Sequence, residues 1–260
     1  MFIPRRGFFR VFFQGQILSL NTSDRTFLLT NDDGWDAPGL EALVEAIAGL
    51  GVASLVAPAG PYSGCAHQVT TDRPITIDAK KTNLTIVGGT PADCVRLALD
   101  HVFPNPSWIL SGINRGGNLG VDVHHSGTVA AAREGSIRGI PGIALSQYVA
   151  RGKAVDWAIS ARLARAVLTR LLATPPTPGT FWNVNLPHLD SDAPEPEIVF
   201  CGLDPAPLPV RYRLEGNLAH YVGDYQARPR TPRRDVAICF GGRISVTRIS
   251  LVDLGPGEFS

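Results

Sequence analysis

"RTFLLTNDDGWDAPGLEALVEAIAGLGVASLVAP", residues 25–58, decides the fold. Residues 25–31 are apolar enough for a buried strand. Residues 38–50 carry apolar side chains at helical spacing, with Pro38 where the first turn of a helix admits proline. Residues 52–58 form a second apolar run that stops at a proline. Strand, helix and strand in that order predict a parallel unit with its helix on one face.

The pattern then repeats. Further strands are expected at 84–89, 107–112, 142–146 and 180–187, with helices at 90–103, 128–138 and 154–172. The second helix opens with Thr90 as N-cap, Pro91 in the first turn and Asp93 three residues past the cap. These elements predict an α/β fold: a mostly parallel sheet with helices on both faces. From residue 188 the character changes. Prolines crowd 194–209, and strand-like runs at 197–203, 218–223, 235–240 and 243–249 suggest a C-terminal β-hairpin elaboration. The expected division is a leader over 1–24, an α/β catalytic core over 25–187 and a β-rich elaboration over 188–260. The leader mixes arginines with phenylalanines, and Arg10, Gln14 and Gln16 break its apolar runs. No small-residue cleavage site follows, so it does not read as a signal peptide.

Composition narrows the function classes. The chain has 260 residues, 44% of them hydrophobic, and a formal net charge of +1. That balance gives no electrostatic reason to expect nucleic-acid or membrane-surface binding, and no segment approaches the ~18 continuous apolar residues of a membrane span. The basic run 227–234 contains prolines and reads as a solvated loop. Cys65, Cys94, Cys201 and Cys239 are scattered without CxxC or histidine partners, which disfavours zinc and disulfides and points to a reducing, cytoplasmic setting. Cys94 falls in an apolar helical pattern and reads as a small buried hydrophobe.

Asp32 and Asp33 follow the first strand, at the sheet edge where α/β folds place their ligands. A turn before Gly34 explains Asp33 alone. A hard divalent cation explains both, since carboxylate oxygens suit Mg²⁺ or Mn²⁺ and the cation relieves their repulsion. The loop after the second strand, "APAGPYSGCAHQ" (57–68), places the Ser63 hydroxyl beside Gly64. The richest stretch is "LSGINRGGNLGVDVHHSGTVAAAREG" (110–135), in which a strand ends at Gly112 and a small-residue helix begins after Ser126. Ser126 as cap, with Gly127 and Thr128 in the first turn, would leave amide N–H groups free for an anion. No Walker loop or GxGxxG fingerprint is present. Oxygen ligands and amide donors together suggest metal-assisted phosphate chemistry.

The stretches "LLTNDDGWDAPGL", "VAPAGPYSG", "GTPADCVRLAL" and "SGINRGGNLGVDVHHSGTVAAAREG" resemble the SurE survival-protein family of 5′/3′-nucleotidases. The resemblance runs from Phe27 to Ser146 and more weakly to Asp253. It implies a Rossmann-like core and a homodimer or homotetramer built partly by the C-terminal elaboration. It also implies a phosphomonoesterase acting on nucleoside monophosphates with one divalent cation, Mg²⁺ or Mn²⁺, per subunit. Carried over by motif, the metal ligands are Asp32, Asp33, Ser63 and Asn114, and Asn118, Ser126, Gly127 and Thr128 belong to the phosphate pocket.

The proton donor to the leaving group is not readable; His67, His124 and His125 are candidates. Asp36 and Asp122 read as turn or capping residues, and Arg133 and Glu134 as facing solvent or a neighbouring subunit. A non-catalytic nucleotide or phosphate-metabolite sensor on the same fold is the rival reading. Oxygen ligands on three separate loops favour the enzyme.

Overall fold

The structure, a computed structural model, describes residues 10–13, 16–19 and 25–252. Two short strands within the expected leader, β1 (Arg10–Phe13) and β2 (Gln16–Ser19), pair antiparallel with each other and do not join the main sheet. The chain then runs β3 (Thr26–Thr30), α1 (Pro38–Ala46), β4 (Val52–Pro58), β5 (Ile77–Lys81), β6 (Leu84–Val87), α2 (Pro91–Leu97) and β7 (Trp108–Arg115). It continues with α3 (Gly127–Ile137), β8 (Gly142–Gln147), α4 (Trp157–Leu172) and β9 (Thr180–Leu186). The remainder is β10 (Ile198–Phe200), β11 (Tyr212–Glu215), β12 (Leu218–Tyr221), α5 (Asp235–Phe240) and β13 (Ile244–Ser250).

The nine-stranded sheet has the order β10-β13-β9-β8-β7-β3-β4-β6-β5. Six neighbouring strands from β6 to β9 are parallel, while β5 and β13 run antiparallel to β6 and β9. Alternation along β3 sends Phe27 and Leu29 to one face and Leu28 to the other. On the first face Leu40, Leu43 and Ile47 of α1 pack with Leu163, Val167 and Leu171 of α4. On the second, Val95 of α2 and Ala131 of α3 cover Leu28, Val56 and Ile109. Each such fully buried aliphatic side chain contributes about 1.5–3 kcal/mol.

The topology places the site. From β3 the chain builds outward through β4 to β6, then returns to lay β7 on the other side of β3 and builds outward again. The order therefore reverses between β3 and β7, and ligands of open α/β sheets bind outside the carboxyl ends of strands at such a reversal. β7 also changes register against β8 between Ser111 and Asn114. Gly112 makes this possible: its φ is +140°, and a Cβ there would lie 2.3 Å from the Leu145 carbonyl oxygen.

The helix starts follow the local chemistry. Thr90 and Asp93 form the reciprocal capping box, Asp93 N–H donating to Thr90 Oγ1 at 3.2 Å and Thr90 N–H to Asp93 Oδ2 at 3.0 Å. Two stretches after residue 188 differ from expectation. Residues 235–240 form helix α5, not a strand; six residues of an apolar run do not separate the two periods. β10 and β13 enter the central sheet, so the free-standing hairpin consists of β11 and β12 alone. Among the described residues no helix is long and apolar enough to cross a membrane.

Candidate functional site

Asn31 shapes the loop that leaves β3. Its side-chain amide donates to the Gly34 carbonyl at 2.7 Å and its Oδ1 accepts from Gly34 N–H at 3.3 Å. Gly34, at φ +109°, turns the chain. The aspartates between them separate. Asp32 is 4% exposed and lines a cavity of about 640 Å³ with Ser63, Asn114, Asn118, His125 and Ser126. Asp33 lines a neighbouring cavity of about 400 Å³ with Asp36 and Trp157, and Arg115 borders both. Asp33 Oδ2 accepts from the Arg115 N–H at 3.1 Å.

Hydrogen bonds fasten the Ser63 loop to both of its neighbours. Tyr62 N–H donates to the Asp32 carbonyl at 2.7 Å, and Ala66 N–H to the His125 carbonyl at 3.0 Å. Ser63 itself is exposed at the cavity. Asn114, near the end of β7, donates its amide to the Gly116 carbonyl at 2.8 Å, which orients its own carbonyl oxygen as an available acceptor.

Asn118 is held from several sides. Its N–H donates to Asn185 Oδ1 at 2.7 Å, its side-chain amide to Ser146 Oγ at 2.7 Å, and its carbonyl accepts from Asn183 and Asn185 at 2.8 and 3.0 Å. Ser126 caps α3, accepting from Val129 N–H at 3.0 Å. Gly127 is required by close packing, since a Cβ would lie 2.8 Å from Cys65 Sγ and 2.9 Å from Asp32 Cβ. Thr128 is fully buried, and its hydroxyl donates to Asp32 Oδ1 instead of facing the cavity.

Burial pushes the Asp32 carboxyl up to about 6; hydrogen bonds from Thr128 pull it down without offsetting burial, and Asp33 adds a repulsive contribution. Burial also raises Asp33, against the hydrogen bond from Arg115. The cavity that Asp32 lines also carries the Ser63 hydroxyl and the Asn114 amide oxygen, hard donors that fit a small divalent cation. Among the described residues no group of three His, Cys, Asp or Glu side chains converges as a metal site. The donor set here is mixed, which is compatible with hard oxygen coordination.

Of the three histidines, His125 reaches the cavity, His124 is exposed, and His67 Nε2 pairs with Glu134 Oε2 at 2.9 Å. Glu134 corrects the expectation of a side chain facing solvent or a neighbouring subunit, while Arg133 is half-buried. Glu134 is buried against His67, and Arg133 donates to the Val123 carbonyl at 2.9 Å while packing over Phe181. Asp122 lines the cavity and has the capping role expected of it, but sequence reasoning missed the polar web to which it belongs. Asp122 accepts from Leu119 N–H at 3.2 Å and from Tyr225 Oη at 2.9 Å, and it pairs with buried Arg228. Asp235 accepts from Gly120 N–H and Asp204 N–H, both at 2.7 Å. Leu208, Tyr212 and Tyr221 complete the cavity from the C-terminal segment.

The family model for survival protein SurE matches residues 27–203. A protein of a Nostoc species, provisionally named a 5′-nucleotidase, is 48% identical over 224 residues, covering 86% of this chain and 99% of the relative. A 5′-nucleotidase SurE of Laribacter hongkongensis is 41% identical over 162 residues, covering 62% of this chain and 65% of that one. The crystal structure of the SurE protein from Aquifex aeolicus superposes with a TM-score of 0.77 at 32% identity, covering 89% of this chain and 95% of that chain.

Proposed function

This chain belongs to the SurE family, and from that premise we propose that it is a 5′-nucleotidase, a metal-dependent phosphomonoesterase that hydrolyses nucleoside monophosphates. The observation that carries the reading is the buried Asp32 carboxylate at the β3–β7 reversal, in one cavity with Ser63 and Asn114. We assign Asp32, Asp33, Ser63 and Asn114 as the residues that hold the cation, one Mg²⁺ or Mn²⁺ per subunit. Of the four, Asp33 is the one that lines the neighbouring cavity instead of the Asp32 cavity.

Held by these residues, a divalent cation would supply charge withdrawal from the phosphate and activation of a water near neutrality. The chain supplies the positioning. Thr128 fixes the orientation of the Asp32 carboxylate. Ser126 and Gly127 set the start of α3 against the phosphate, where the positive end of the helix dipole favours negative charge. Asn118, held by Ser146 and Asn185, contributes a fixed amide to the cavity wall. His125, the histidine that lines the cavity, is the proposed proton donor to the leaving hydroxyl. We further propose a cytoplasmic homodimer or homotetramer in which residues 188–260 contribute to assembly, and a leader dispensable for catalysis.

Phosphate release from a panel of nucleoside monophosphates tests the reading, with Mg²⁺, Mn²⁺ or Co²⁺ added and with a chelator as control. Release that a chelator abolishes is expected. Tight nucleotide binding without release under any of these ions would overturn the assignment in favour of a sensor.

A further inference from the structure

The large cavity is lined by two chemically different sets of side chains: Asp32, Ser63 and Asn114 supply oxygen donors, and Tyr212 and Tyr221 supply aromatic rings. At about 640 Å³ the space is far larger than a phosphate ion and falls in the range of sites that enclose whole small molecules. The two tyrosines face each other directly across the β11–β12 hairpin, with ring centroids 5.6 Å apart and planes at 73°. They remain 60% and 56% exposed, so packing within the chain does not consume their faces. The hairpin is two-sided: Arg213, Glu215 and His220 pair on the other side, at 3.1 and 3.6 Å. Gly223 leaves room for one ring, since a Cβ there would fall 2.2 Å from the Tyr221 hydroxyl.

Resting on the nucleotidase reading above, we infer that Tyr212 and Tyr221 form the wall against which the nucleobase stacks. Every base has a π face, so an aromatic wall selects for the presence of a base without strongly selecting which one. An edge-to-face pair also offers one ring face while the second ring supports it from the side. The outcome is an enzyme that prefers nucleoside monophosphates over sugar phosphates of the same charge and is tolerant among bases.

The test compares adenosine 5′-monophosphate with ribose 5-phosphate, which carries the same phosphate and sugar without the base. For Tyr212→Ala and Tyr221→Ala, the ratio of kcat/KM for the nucleotide to that for the sugar phosphate is expected to fall about 5- to 150-fold, the range that one base–aromatic stack supplies. Tyr221→Phe should recover the ratio, because the ring and not the hydroxyl is invoked. Gly223→Ala should lower it by displacing the ring. Parallel loss on both substrates, leaving the ratio unchanged, would overturn the inference, as would alanine variants with unaltered kinetics. Calorimetric titration with adenosine 5′-monophosphate separates this idea from its premise. Binding that weakens in the alanine variants while no phosphate is released supports the aromatic wall and overturns the nucleotidase reading. Absence of both binding and turnover in the wild-type protein overturns both.

Discussion

Thr128→Val removes one hydroxyl and nearly nothing else, at a position with no solvent exposure. The hydroxyl donates to Asp32 Oδ1, so the substitution leaves a buried carboxylate without that donor. A hydrogen bond to a charged group contributes about 1.5–3 kcal/mol. Loss of a group that orients a metal ligand lowers metal affinity or activity by about 10- to 100-fold, or about 1.4–2.8 kcal/mol, so the two routes agree. A second effect has the same sign: without its donor, the Asp32 carboxyl rises further and protons compete better with the cation. The assay is phosphate release at saturating adenosine 5′-monophosphate, titrated with Mn²⁺. The half-activating Mn²⁺ concentration should rise by about 10- to 100-fold in the valine variant, and Thr128→Ser should restore most of the loss. An unchanged Mn²⁺ requirement in a folded valine variant would refute the role given to Thr128. Equal defects in the valine and serine variants would point to packing instead of the hydroxyl.

Asp32, raised in the metal-free fold from its usual range to about 6, binds more protons folded than unfolded between about pH 4 and 6. That site therefore contributes stability at low pH which is lost as pH rises through 6, at most about 3 kcal/mol. Added Mn²⁺ should accordingly raise Tm more at pH 7 than at pH 5; an equal or opposite dependence by scanning calorimetry would count against Asp32 as a ligand. Arg228→Gln leaves Asp122 without its buried cation, so unfolding in urea should show a loss of about 3–5 kcal/mol; a loss below about 1 kcal/mol would place the pair among surface-like ion pairs. Asn114→Ala should weaken Mn²⁺ activation with Tm nearly unchanged. Asn118→Ala, which removes the hydrogen bond to Ser146, should lower Tm and kcat with the Mn²⁺ requirement little altered. The reverse pattern would exchange their roles.

Local chemistry made much of this legible. The strands flanking α1, the Thr90 capping box and the Ser126 cap depend on near neighbours in sequence, and the structure has them where the pattern puts them. Helix α3 shows where such reading stops. Small residues bury it nearly all round, so no polar stripe marks an outer face, and the sequence places Glu134 toward solvent or a neighbouring subunit instead of inside. The bonds from Asp122 to Arg228 and from Gly120 to Asp235 join residues more than a hundred positions apart. No periodicity encodes them. Tyr212 and Tyr221 were likewise not legible as cavity residues: the strand-like run at 218–223 marks a hairpin strand, but no local pattern says which residues more than eighty positions away it will face.

The last described strand, β13, lies between β9 and β10 in the interior of the sheet, and Arg228 and Asp235 hold the loop that carries the cavity's polar residues. During synthesis the N-terminal segments emerge first, at about 5–20 residues per second. The first strand of the site, β3, is then made long before the residues that clamp the Asn118 loop. A nascent chain stalled or cut before residue 228 would hold the acidic pair without the clamp that shapes its surroundings. Catalytic competence thus arrives late in translation, and fragments should be inactive and readily cleared by proteases.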